Sequence, residues 1–125
     1  MFHDLAILRQ AGELGRHAAA RQRLAVENIA QASTPGYRAR DLTPFSMEAA
    51  GAESMRRTRA GHVGGASVTP ARIVIDESSR APNGNGVSLE AESLRAVRIE
   101  GQHRLAVAVY AKAQSLIRLS TGRQR

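Results

Sequence analysis

The sequence predicts a mainly α-helical fold. Long helices at the two ends of the chain pack antiparallel as a coiled-coil-like hairpin, around a loop-rich middle that holds a short strand. Three observations in the 125 residues predict it. Small and apolar residues recur at steps of three and four near each end. The first periodic stretch stops abruptly at Thr34-Pro35-Gly36-Tyr37. Between the two stretches, residues 43–86 hold three of the four prolines. One domain, 1–125, accommodates all of this: a helix over 4–33, a loop-rich middle over 34–87 and a helix over 88–120.

The N-terminal helix follows from its seam. Leu8, Ala11, Gly15, Ala18, Gln22, Ala25, Ile29 and Ala32 fall on one face. Most are small, so a second helix can approach closely. Asp4 is the expected N-cap. At 1.5 Å per residue the helix is roughly 40–45 Å long.

The stop is local chemistry. Pro35 pushes Thr34 out of the α region, so the helix ends at or before Ser33. Pro35 suits position i+1 of a type II turn, and Gly36 supplies the positive φ of position i+2. Asn28 lies about one turn before the end, where its amide can bond backbone groups that the terminating helix leaves free.

In the middle, "AGHVGGASVTP" has the composition of a flexible loop. Ala71 to Glu77, "ARIVIDE", is a β-branched run that reads as one strand or extended arm. A strand needs a partner, and no second segment stands out. "APNGNGV", Ala81 to Val87, repeats Asn-Gly and predicts turns. Ser88 is the N-cap candidate of the C-terminal helix, and Glu90 and Glu92 suit the positive end of its dipole. Gly122 is its C-terminal stop. From Leu105 to Leu119 this helix is apolar on several faces, more than one partner helix can cover. The packing residues expected from the two periodicities are Leu8, Ala11, Ala18, Ala25 and Ile29 in the first helix. In the second they are Leu94, Val97, Leu105, Tyr110, Leu116 and Ile117.

Composition agrees with an incomplete core. Aromatics make up only 3%, and much of the apolar fraction is alanine, which buries little area per side chain. A lone pair of Ala-rich helices is expected to be poorly ordered as a monomer and to gain helix on assembly. The net charge of +7 favours acidic partners. The arginines, however, are spread along the chain, with one cluster, Arg56, Arg57 and Arg59, in a loop-like segment. That leaves two classes of function: a structural subunit of an assembly, and a basic helical hairpin binding nucleic acid or anionic lipid.

Other chemistry is absent from the pattern. There is no cysteine, hence no disulfide or thiolate chemistry. His3, His17, His62 and His103 show no metal-ligand spacing, and His17 and His103 are expected on helix surfaces. No phosphate loop, nucleophile elbow or carboxylate pair is present. Glu13, Glu27 and Glu100 are expected to pair with nearby arginines. No enzyme activity, cofactor or metal is expected. The N-terminus lacks the basic opening and apolar run of a cleavable signal, and no run approaches a membrane span.

The stretch "NIAQASTPGYRARDL" resembles the N-terminal signature of the bacterial flagellar axial proteins. Asn28, Ile29, Ala30, Thr34, Pro35, Gly36 and Tyr37 match its Asn-Ile-Ala-Asn, two variable residues, Thr-Pro-Gly-Tyr pattern, and Gln31 stands in place of its second Asn. Tyr37 to Leu42 is similar to the extension found in the B-type proximal rod subgroup, and Asn83 to Glu92 resembles the stretch before that subgroup's C-terminal helix. There Ser88 replaces an Asp and Leu89 a Met. Nothing in the middle aligns. The resemblance implies a structural subunit of the flagellar basal-body rod, whose terminal helices line a hollow helical assembly. It implies type III export without a cleavable signal and a place in the periplasmic rod. It also implies contacts with other copies, other rod proteins, the membrane ring and the export gate.

Overall fold

The computed structural model describes residues 2–46, 71–81 and 84–122. Its elements in chain order are α1 (Phe2–Ala30), β1 (Arg40–Leu42), β2 (Ile73–Ile75), a single 3₁₀ turn (Glu77–Ser79) and α2 (Leu89–Ser120). The fold is mainly helical, as the two periodic stretches predict.

Helix α1 starts earlier than expected, so Asp4 lies inside its first turn and does not cap it. Nothing in Phe2 or His3 opposes a helix. The α-helix also ends before Ser33. Over the last residues the bonding tightens to i→i+3: Ala32 N–H donates to the Ile29 carbonyl at 3.2 Å and Thr34 N–H to that of Gln31 at 2.9 Å. The restriction that Pro35 places on Thr34 is thus anticipated by a turn of tighter helix. The expected turn then follows. Gly36 has φ 75°, and Tyr37 N–H donates to the Thr34 carbonyl at 3.2 Å.

The two short strands pair antiparallel, with Arg40 opposite Ile75, Asp41 opposite Val74 and Leu42 opposite Ile73. The partner of the "IVI" run is therefore the Arg-Asp-Leu that follows the Pro-Gly turn. Three residues carrying two charges give no strand signal of their own. Thr43 N–H to the Arg72 carbonyl (2.9 Å) and Asp76 N–H to the Ala39 carbonyl (2.8 Å) extend the ladder at both ends. The loop composition expected of "AGHVGGASVTP" falls on residues 60–70, which lie outside the described residues.

Ser88 caps α2 as expected, its Oγ accepting from Ala91 N–H at 3.3 Å. At the other end Gly122, φ 67°, turns the chain, with its N–H on the Leu119 carbonyl. The helices run antiparallel. Gly15 faces Ala106, Arg21 reaches Gln102, and Asn28 reaches Glu92. Burial recurs every seventh residue on both helices: Ala11, Ala18 and Ala25 on α1, then Glu92, Ile99, Ala106 and Ala113 on α2. That is the periodicity of a coiled-coil seam, here narrow and built mostly from alanine. Ile99 is the largest apolar side chain fully buried in it.

Candidate functional site

At one end of the hairpin, four segments meet around a single side chain. Asn28, near the end of α1, is fully buried. Its Oδ1 accepts from the Arg40 N–H at 3.0 Å and from the Tyr37 hydroxyl at 3.1 Å. Its Nδ2 donates to the Arg40 carbonyl at 2.8 Å and to Glu92 Oε2 at 3.1 Å. The amide thus uses both of its donors and both acceptor lone pairs. Toward β1 it takes the place of a neighbouring strand, satisfying the N–H and C=O of one edge residue together. The expectation was that Asn28 bonds backbone groups left free at its own helix end. It bonds a strand instead, because the chain turns back at Gly36 and brings Arg40 alongside it.

Glu92 is also fully buried. It accepts from Asn28 and, at 2.7 Å through Oε1, from Arg95 Nη1. The Arg95 guanidinium also binds Asp76, directly after β2. Asp76 in turn caps the 3₁₀ turn by accepting from Ser78 N–H at 2.9 Å. A second clamp joins α1 to β1: Arg21 grips Asp41 with two bonds, 2.8 and 2.5 Å. Burial raises the Asp41 and Asp76 carboxyls. The Arg21 bond and the Leu42 N–H outweigh it at Asp41, and the Ser78 and Arg95 bonds outweigh it at Asp76, so both titrate below the ordinary aspartate value. Arg21 is raised in return, chiefly by its bond to Asp41.

The approach of chain to chain is closest at Gly86. A Cβ there would lie 1.9 Å from the Tyr37 carbonyl oxygen, so only glycine fits. This contact joins the Pro-Gly-Tyr turn to the Asn-Gly-Val segment that leads into α2. Ala39 and Val87, close in sequence to the two sides of this contact, are both buried.

The remaining signature residues are placed around this centre. Ile29 is half-buried, Ala30 is exposed at the end of α1, and Thr34, Pro35 and Gly36 are exposed on the turn. Thr34 donates to Gln31 Oε1 at 2.7 Å, so Gln31 binds locally and stays out of the centre. Of the expected packing residues, Ala11, Ala18 and Ala25 are buried in the seam, while Leu8, Ile29 and Ile117 are half-buried. Leu94, Val97, Leu105, Tyr110 and Leu116 are exposed, between 42% and 65%. The hairpin seam runs past them through Glu92, Ile99, Ala106 and Ala113 because α2 has only one helix against it.

His17 differs from its expected surface position. It is half-buried, its Nε2 lies 2.9 Å from the Thr43 carbonyl, and its ring packs on Phe45 at 5.5 Å. It anchors the segment after β1 over a groove of about 510 Å³ between the helices, lined by Ile7, Leu14, Leu105 and Val109. Glu13, Glu27 and Glu100 pair with Arg16, Arg40 and Arg104. Among the described residues no cluster is placed to hold a metal ion, and no helix is long and apolar enough to cross a membrane.

Sequence reasoning missed Glu92, Gly86 and the backbone of Arg40. Glu92 has a signal, an acid at the start of a helix, but that signal points only to the helix dipole. Gly86 has one too, a second Asn-Gly, but that pattern points only to a turn. No family model matches the chain, and no curated protein or solved structure matches it.

Proposed function

We propose that the chain is a structural subunit of the proximal rod of the bacterial flagellar basal body, of the B type. In this reading it forms part of the hollow shaft joining the membrane ring and export gate to the distal rod. It reaches the periplasm through the flagellar export apparatus and works with other copies of itself and other rod proteins, without catalysis.

One observation carries the reading. The two separate stretches that resemble rod subunits, residues 28–42 and 83–92, meet in one junction through their described residues. Asn28, Tyr37, Gly86 and Glu92 touch within it. A signature whose residues interlock fixes the direction in which the chain leaves α1, and that direction decides how a repeating assembly propagates. The exposed apolar residues of α2 supply surface for neighbouring subunits. The alternative, a basic hairpin binding nucleic acid or anionic lipid, draws less support. Arg21, Arg40 and Arg95 are held by carboxylates of the same chain.

The test is genetic. Removal of the gene from its native host is expected to abolish motility and to leave basal bodies without a rod. The wild-type gene should restore both, and Gly36→Val should not, at matched export levels. Normal rods in the deletion strain would overturn the proposal. DNA affinity that falls with salt by the equivalent of several phosphates would favour the alternative.

A further inference from the structure

The ribbon β1–β2 has two edges, and they are treated differently. The outer edge of β1 is closed, because the Asn28 amide occupies both backbone groups of Arg40. The outer edge of β2 is open. Since the Arg72 carbonyl and Asp76 N–H point to β1, the alternation of a strand aims the N–H and C=O of Ile73 and Ile75 away from it. No hydrogen bond among the described residues reaches those groups. The side chains are uncovered as well: Ile73 is 58%, Val74 42% and Ile75 56% exposed. A short apolar edge with free backbone groups is a template for another strand.

We propose that this edge pairs with the same edge of a second copy of the chain, antiparallel and about a two-fold axis at Val74. The occupant is written in the sequence Arg72-Ile73-Val74-Ile75-Asp76. Reversed on itself, this segment sets Ile73 opposite Ile75, Val74 opposite Val74, and Arg72 opposite Asp76. Its charges are therefore complementary at both ends, and like charges never meet. Ile73 and Ile75 form the hydrogen-bonded pairs, giving four backbone bonds across the axis. Their side chains share the face that carries Leu42, opposite to the Asp41 face that Arg21 holds against α1. Pairing thus gathers four isoleucines on the outer face of a four-stranded sheet. Asp76 keeps its bond to Arg95 on the inner face and gains Arg72 of the second copy.

This inference does not rest on the flagellar reading, and purified full-length chain tests it. The chain has no cysteine, so a single introduced thiol reports unambiguously. Across a non-hydrogen-bonded antiparallel pair the Cα atoms stand about 4.5 Å apart, within disulfide range. Val74→Cys is expected to form a covalent dimer under mild oxidation much faster than Arg80→Cys, an exposed position away from the axis. Ile75→Pro removes an outward N–H and spares the bonds to β1. In the Val74→Cys background it should abolish the cross-link. In the cysteine-free chain it should weaken dimerisation, measured by sedimentation, by about tenfold or more. A chain that stays monomeric, a Val74→Cys cross-link no faster than that of Arg80→Cys, or a dimer indifferent to Ile75→Pro would each overturn the proposal. A strand that pairs only with a different protein would appear as the first of these outcomes.

Discussion

The two ends of the hairpin are built by opposite rules. Around Asn28 nearly every group is satisfied within the chain: amide, hydroxyl, carboxylate, guanidinium and strand edge bond one another, and Gly86 closes the contact. Toward the end of α2 the seam is alanine, and Val107, Tyr110, Leu116 and Leu119 are exposed. Buried polar groups demand fixed geometry, whereas an alanine seam sets only a distance of approach. The junction therefore specifies how the chain folds back, and the far end leaves surface for something else to cover. A short Ala-rich hairpin needs such a polar staple because its apolar burial is small.

The largest expected effect comes from removing the centre of the staple. Asn28→Ala takes a hydrogen bond away from the Arg40 N–H and C=O, from the Tyr37 hydroxyl and from buried Glu92, which keeps its bond to Arg95. Glu92 is fully buried and the Arg40 and Tyr37 groups part-buried; a bond lost at a buried group costs about 1–3 kcal/mol, so about 2–4 kcal/mol in total is expected after relaxation. The urea midpoint of helix loss measures it. Asn28→Asp, nearly identical in shape, should do no better, since it loses both donors and sets a second carboxylate against Glu92. A loss below about 0.5 kcal/mol in both variants would show that the two ends do not differ as described.

Gly86→Ala should rank next, at about 1–3 kcal/mol, because its Cβ meets backbone rather than a movable side chain. Gly36→Val follows at about 1–2 kcal/mol. Nothing lies within 4 Å of the added Cβ, so its effect is backbone strain at φ 75° alone. The same melting experiment orders the pair, and a reversed order would mean that the Tyr37–Gly86 contact is loose.

The helices were legible because periodicity survives in a single chain: α1, α2, the Ser88 cap, the Gly36 turn and the Gly122 stop all follow from local chemistry. The strand β1 was not legible, since Arg-Asp-Leu becomes a strand only when Asn28 and "IVI" flank it on both edges. Glu92 escaped for a related reason. Its burial depends on Asn28 and Arg95, one distant in sequence and the other a charge that looks solvated. The exposed position of Leu94 and Val97 was misjudged because apolar periodicity names faces and not which face the single partner takes.

Acid should loosen the junction before it touches the seam. Asp41 and Asp76 have carboxyl pKa values lowered in the fold, so their stabilisation is complete above the ordinary aspartate value of about 3.9. It is lost as pH falls through the lower folded values. Stability should therefore drop below about pH 4, and Asp41→Asn should flatten part of that drop while lowering stability at pH 7. An acid profile unchanged by Asp41→Asn would remove the Arg21–Asp41 clamp from this account.

The smallest effect is expected at the far end, and its smallness is informative. Leu116 is 58% exposed, so serine there removes little buried area from the isolated chain. Surface substitutions of this kind stay within about 0.5 kcal/mol. Serine also slightly lowers helix propensity relative to leucine, by a few tenths of a kcal/mol, which sets a floor for the change. The urea midpoint of Leu116→Ser should thus sit close to the wild type. In the cell the same variant should behave differently if the uncovered face belongs to an assembly. It removes apolar area that neighbouring subunits would bury, so recovery of rods should fall although the chain alone is unharmed. Equal loss in both assays would place Leu116 in the folding core of the single chain. No loss in either would mean that this face has no partner, and the division of labour between the two ends would then need another explanation.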